Sequence, residues 1–232
     1  LLGTNLAVVG MGALMLGPNM YLPVYAQSVM GLGAIAAGLI LASMSFGWPV
    51  ASSLSGILYL RIGFRNTAII GTVIIIISSV AFLMLPFDTP VWLLVIDQIM
   101  IGFGLGFLST PTLVGVQSIV PWGKRGVVTG SNMFSRYLGQ SIGAAILGGI
   151  FNMAMGSQLS GAPGALKSQL PSKVNDVIEV LQSGKASGPA EDYLRHSFYV
   201  SAHHVYIAMA ILAALSLLAL LMLPKEYPIV SD

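Results

Sequence analysis

Cysteine is absent from the 232-residue sequence, which rules out disulfides, thiolate metal sites and thiol nucleophiles. Charge is scarce too. Asp, Glu, Lys and Arg supply 8% of residues, against about 25% in soluble domains. A net charge of +2 with no basic run excludes the electrostatic footprint of a nucleic-acid binder. Nucleotide-binding loops and metalloprotease motifs are missing as well, so neither a metal nor a cofactor is expected. What fills the chain is apolar: 56% hydrophobic residues and a mean hydropathy of +0.87. Lipid, not water, is the solvent that suits such a surface. The sequence opens Leu1-Leu2-Gly3-Thr4, already inside an apolar run and without a basic signal region. It is therefore expected to be a piece of a longer protein, with a natural stand-alone half as the alternative.

A helix needs about 20 apolar residues to cross the hydrocarbon core. Six stretches meet this, at 4–27, 33–57, 66–86, 91–113, 126–152 and 198–223. Lipid offers no partner to open backbone groups, and the alternating pattern of a barrel is lacking, so all six are read as helices. The expected fold is an all-α membrane domain occupying 1–232. Arg61 and Arg65 follow the second span, Lys124 and Arg125 the fourth, and Lys225 the last, whereas the first and third connections hold no Lys or Arg. By the positive-inside rule the even-numbered connections and the C-terminus are cytoplasmic, and segment 153–197 lies outside. In that segment Val174, Val177, Ile178 and Leu181 predict a short amphipathic helix near 173–182. Gly188-Pro189 reads as a further helix start.

Polar residues within spans are costly unless they face protein or water. Asn5, Gly12, Asn19, Pro23 and Gln27 share one face of the first span. Gly38, Ser45, Ser52 and Gly56 share a face of the second, where close helix packing is the favoured reading. Gln98, Gly102, Ser109 and Thr112 align on the fourth, and Thr129, Asn132, Arg136, Gln140 and Gly143 on the fifth. The third and sixth spans carry fewer such residues. The order lined, lined, peripheral, repeated once, suggests a three-plus-three repeat around a wet crevice. Gly139-Gln140-Ser141-Ile142-Gly143 matches a hydrolase elbow in letters only. Inside a span it lacks the strand–turn–helix setting, and no enzyme is expected.

Several segments in fixed order carry a family resemblance. They are Leu22-Pro23-Val24-Tyr25-Ala26-Gln27, the loop Gly56-Ile57-Leu58-Tyr59-Leu60-Arg61-Ile62-Gly63-Phe64-Arg65, Gly102-Phe103-Gly104-Leu105-Gly106, and Arg136-Tyr137-Leu138-Gly139-Gln140 through Ala145. Together they resemble the C-terminal six-helix half of major facilitator superfamily transporters, specifically the fourteen-span drug:proton antiporters of the EmrB/QacA type. The resemblance implies a secondary active exporter of amphipathic or cationic compounds, coupled to protons and working by alternating access. It implies a bacterial inner or plasma membrane, and as partners a small-molecule substrate, protons, lipid, and a missing N-terminal half or a second copy. It also implies that Gly56, Arg61, Gly63 and Arg65 form a cytoplasmic gate loop. Leu60 stands where that loop usually has Asp. Uptake of a metabolite on the same fold and a non-transporting membrane scaffold are the alternatives.

The residues expected along the substrate and proton path are Arg136, Asp97, Asn132, Gln140, Gln98, Asn19, Gln27 and Tyr25. Arg136 lies ten residues past Gly126, so ~15 Å deep in a ~30 Å core. It is placed to attract an anionic group or to face a carboxylate. Asp97 is a candidate proton carrier or cation-binding group, and a pairing with Arg136 is conceivable. Tyr21 and Tyr25 are candidates for the outer vestibule. Pro18, Pro23 and Pro49 are possible bends. His203 and His204 are expected at the outer interface as polar anchors.

Overall fold

The computed structural model describes residues 2–171, 173–182 and 187–223. The tail residue Lys225, used above for orientation, lies outside the described residues. Helices run α1 (Leu2–Ser28), α2 (Ala34–Ile62), α3 (Phe64–Leu83), α4 (Val91–Ser118), α5 (Arg125–Ser160), α6 (Gly164–Lys167), α7 (Val174–Gln182) and α8 (Pro189–Leu221), with a 3-10 turn at Trp122–Lys124 before α5. Six of them are long and apolar enough to cross a membrane. The connections α2–α3 and α4–α5 carry Arg61, Arg65, Lys124 and Arg125 and mark a basic end. The remaining connections mark the opposite, loop end.

The long helices pack as two equivalent pairs, α1 with α5 and α2 with α4, while α3 and α8 pack behind them and against each other. This is the three-plus-three arrangement: α1, α2, α3 correspond to α4, α5, α8. Small residues make both pairs possible. A Cβ on Gly139 would run into the Val9 carbonyl, and one on Gly12 into the carbonyl of Arg136. In the matching pair, a Cβ on Gly102 would strike the Met44 carbonyl and one on Gly47 the Ile99 carbonyl. Lipid tails are as apolar as Leu, so close backbone approach and dispersion take the place of the hydrophobic effect in holding such helices together.

The second span's stripe is placed differently from the packing reading. Nothing stands within 4 Å of a Cβ on Gly38 or Gly56, and Ser45 is exposed. The packing face of α2 is instead the one bearing Gly47. Along the Gly38–Ser45–Ser52–Gly56 face, Gly38 and Ser45 are exposed, while Ser52 is half-buried with its backbone close to Gly106.

α2 and α4 run on to Ile62 and Ser118, a little past their hydrophobic stretches, and α5 and α8 outrun theirs further. α5 continues to Ser160 rather than 152, and α8 begins at Pro189 rather than 198, so much of the expected outer loop is helical. Hydropathy marks where lipid ends, not where backbone hydrogen bonding ends. The α8 extension is held by side chains that reach neighbouring helix ends. The Tyr193 hydroxyl donates to the Gln158 carbonyl at 2.6 Å and that of Tyr199 to Leu85 at 2.7 Å. Arg195 pairs with Glu191 one turn earlier and donates to the Val29 carbonyl just beyond α1. Gly188 precedes the helix at φ +61, and Pro189 starts it. α7 matches the spacing of Val174, Val177, Ile178 and Leu181, and it buries Val177 against the bundle.

At the basic end, α2 turns into α3 through the single residue Gly63 at φ +86, a conformation in which a Cβ is strained. Arg65 then donates from Nη2 to the Leu221 carbonyl at the end of α8, at 3.0 Å. A cation at a helix C-terminus satisfies an orphan carbonyl and complements the dipole, worth about 1 kcal/mol. Arg65→Ala is therefore expected to lower thermal stability in detergent by about that amount, with Arg65→Lys intermediate. An unchanged melting curve for the alanine variant would remove this tie.

Candidate functional site

Toward the basic end the α1/α5 and α2/α4 pairs separate, leaving a crevice of about 170 Å³. All four helices contribute. Ser52, Ser109, Thr110, Asn132 and Arg136 supply its polar wall, and Met11, Trp48, Leu113 and Met133 its apolar one. Neither α3 nor α8 reaches it. Below it, Gln117 donates to the Thr129 hydroxyl at 2.8 Å, joining α4 to α5, and Asn5 donates to Ser131 at 2.9 Å, joining α1 to α5.

Arg136 sits about three turns along α5, ~16 Å from its start. A guanidinium at that depth costs roughly 2.5–3.5 kcal/mol on insertion scales unless it has protein or water beside it. The crevice supplies that surrounding. Arg136 makes no ion pair among the described residues. Its Nε is buried with no hydrogen-bond acceptor, and its charge lies 5.6 Å from the Tyr137 ring centroid, a weak cation–π contact. Asn132, 4% exposed, also leaves its Nδ2 without a partner. Two donors with nothing to donate to thus share one partly apolar hollow. Chemically this wall is built to receive acceptor oxygens or an anionic group.

The other expected path residues divide. Gln140 stands one turn above Arg136, its amide 3.5 Å from the Met15 sulfur. Asn19 donates to the Met15 carbonyl and Gln27 to Pro23, at 3.2 Å, so both satisfy their own helix, half-buried toward the loop end. Tyr25 is 1% exposed and packs against Phe82 and Tyr199. It belongs to an aromatic core, not to an open vestibule. Tyr21 is likewise buried, against Phe151 at 4.9 Å between centroids. Gln98 and Asp97 are buried on the α3 side of α4, where Ser78 donates to one carboxylate oxygen of Asp97 and Gln98 to the other. The idea of an Asp97–Arg136 pair is therefore corrected: the carboxylate's oxygens point to α3 and to its own chain neighbour, away from the crevice. His203 and His204 lie well inside α8, each with Nδ1 at 2.9 Å from the carbonyl one turn back. Of the gate-loop residues, Gly56 lies open, Arg61 and Phe107 border a separate hollow of about 220 Å³, and Leu60 is 81% exposed. Trp48, Met11 and Met133, which shape the apolar wall, carry no signal in the sequence beyond being large and apolar.

The crevice and its helix pairs can be compared with known proteins. A family model described as Major Facilitator Superfamily matches residues 3–144. The chain is 30% identical over 173 residues to multidrug resistance protein 3 of Bacillus subtilis (strain 168), covering 72% of this chain and 33% of that protein. It is 26% identical over 146 residues to the multidrug transporter protein MdtP of the same organism, covering 63% of this chain and 27% of the relative. Among solved structures, the E. coli fucose:proton symporter FucP superposes with a TM-score of 0.68 at 18% identity, over 97% of this chain and 48% of that one. A D-xylose–proton symporter gives 0.57 at 21%, with the same coverage. These two likenesses concern the fold. The chain thus spans about a third of the length of the multidrug relatives and about half that of the symporters. The family match extends over more than half of the sequence and the six-helix architecture agrees with it, so this multi-pass membrane chain belongs to the major facilitator superfamily of transporters.

Proposed function

We propose that the chain is the C-terminal half of a proton-coupled exporter of amphipathic compounds, of the fourteen-span EmrB/QacA type. A second six-helix half would complete the transport path, with the C-terminus in the cytoplasm of a bacterial cell. One observation carries the reading: a membrane-depth crevice lined by four of six helices, holding an unpaired guanidinium beside Trp48, Met11 and Met133. Thioether and aromatic walls adapt to ligands of varied shape, which suits multidrug handling. The open face of α2 and the outward side of the crevice are where the other half would seat, and substrate would lie between them. Because this wall offers donors and a positive charge but no carboxylate, it recognises acceptor or anionic groups. A cationic substrate would find its counter-charge on the other half.

The test uses the full-length parent in everted vesicles. Efflux of a fluorescent amphipathic dye is expected to start with an imposed proton gradient and to stop on addition of an uncoupler. Transport that survives the uncoupler and fails on ATP depletion would overturn the reading. Gradient-driven accumulation in the opposite sense would favour uptake instead.

A further inference from the structure

We propose that Asp97, with Ser78, Gln98 and Tyr206, forms a buried proton-binding site between α3, α4 and α8, separate from the substrate crevice. The existence of the site stands on its own geometry; its part in coupling rests on the proton-coupled reading above.

Asp97 is 6% exposed, and its two oxygens accept from the Ser78 hydroxyl and from Gln98 Nε2, the latter at 2.9 Å. No Lys, Arg or His forms an ion pair with it among the described residues. The titratable groups around it are tyrosines. Tyr206 of α8 lies near both Asp97 and Gln98, and Tyr25 of α1 lies beyond Tyr206. α3 contributes only the uncharged Ser78. His203, one turn from Tyr206 on α8, turns its ring to Phe82 and Tyr199, at 5.6 and 4.1 Å between centroids. A carboxylate so enclosed and without a cation is expensive.

The cluster holds two further anomalies. Gln98, with no exposed surface, leaves its Oε1 without a donor, and Tyr206, 1% exposed, leaves its hydroxyl without a partner. Buried polar atoms are nearly always satisfied, so two neighbouring orphans point to something missing. The nitrogen and oxygen of an amide occupy near-identical positions and are assigned by their partners. Turning the Gln98 amide over would set its Oε1 against Asp97 Oδ2. Two acceptors tolerate that contact only with a proton between them. A proton on Oδ2 then donates to Gln98 Oε1. That proton gives Gln98 Oε1 its partner, while Ser78 continues to donate to Oδ1. The step is simple association: a carboxylate gains a proton from water and becomes a carboxylic acid, with no other reactant.

Access is separate from the substrate path. A hollow of about 80 Å³ between α3 and α4 reaches Asp97 past Phe82, Leu93, Ile96 and Met100, and it shares no lining residue with the crevice. On the other side Phe82 stacks flat on Tyr206, with centroids 3.5 Å apart, closing the site against α8. Coupling would pass along α4, which carries Asp97 on one side and the crevice residues Ser109 and Thr110 about three turns away. Removing or adding the charge would change how α4 sits against α3 and α8. Gly102 and Gly106, seated against the α2 backbone, would hand that shift to α2.

The experiment reads proton binding directly. Infrared difference spectra of the reconstituted full-length parent, taken from alkaline to acidic pH, are expected to contain a carboxylic-acid carbonyl band that Asp97→Asn removes. Gln98→Ala and Ser78→Ala, each leaving the carboxyl in place, are expected to shift that band by changing its hydrogen bonding. Identical acid bands in parent and Asp97→Asn across the whole range would overturn the site. A band that disappears in Asp97→Asn, with uncoupler-sensitive dye efflux kept at the parental rate, would overturn its coupling role. Absence of gradient-driven efflux in the parent itself would instead count against the transport reading and leave the proton site standing.

Discussion

Arg136→Ala is expected to lower the apparent affinity for an acceptor-bearing or anionic amphipath tenfold to about a hundredfold, while the protein still folds. The magnitude follows from the loss of hydrogen bonds made by a charged group, worth about 1.5–3 kcal/mol. Folding survives because Arg136 has no protein partner to strand: its Nε is unsatisfied and it forms no ion pair among the described residues. Truncation leaves no buried carboxylate behind, unlike the removal of one member of a buried pair. Lysine keeps the charge but not the planar fork, so Arg136→Lys should recover part of the loss. Arg136→Glu should favour cationic dyes over anionic ones. Transport by the alanine variant at the parental Kd and rate for every dye tested would mean that the guanidinium only snorkels past the crevice.

The second large effect is on assembly of the half itself. Gly139→Leu or Gly102→Leu is expected to cost about 3 kcal/mol or more, since overpacking of this kind strikes backbone and not a movable side-chain tip. At both positions the obstruction is a carbonyl of the facing helix, Val9 in one pair and Met44 in the other. The expected result is loss of the monodisperse peak in detergent and a collapse of membrane yield. Gly38→Leu and Gly56→Leu provide the contrast, because nothing stands near a Cβ at either position. They should leave this half folded and, if the open α2 face seats another half, reduce transport. Equal tolerance at all four sites would contradict the paired arrangement of α1/α5 and α2/α4.

Sequence and structure agree where a single physical requirement dominates. Six apolar lengths had to be helices, since lipid leaves no other way to satisfy the backbone. Spacing also located α7, and Gly188-Pro189 marked a helix start, though not that this helix runs on into the last span. Periodicity shows which residues share a face, however, not what covers that face. Gln98 and Ser109 align on α4, yet Ser109 opens on the crevice while Gln98 meets Tyr206 and Asp97. They stand ~16 Å apart along the axis, and the helices beside α4 change over that distance. Tyr25 illustrates the same limit, because an aromatic near a span end reads as a vestibule candidate until α3 and α8 are in place around it. The gate loop shows another: Arg65 bonds α8, over 150 positions away in the chain, and no local pattern announces such a partner.

The central claim is that an aqueous crevice runs between the two helix pairs at membrane depth. The chain has no cysteine, so single thiols in this half can be introduced without background. In a full-length parent freed of any other cysteine, Ser52→Cys, Ser109→Cys and Asn132→Cys are expected to react with a membrane-impermeant, charged thiol reagent, and excess transport substrate should slow them. Val73→Cys and Ile77→Cys, on the exposed side of α3, should stay unlabelled in lipid. Silence at the three crevice positions, or labelling no faster than on α3, would contradict the account.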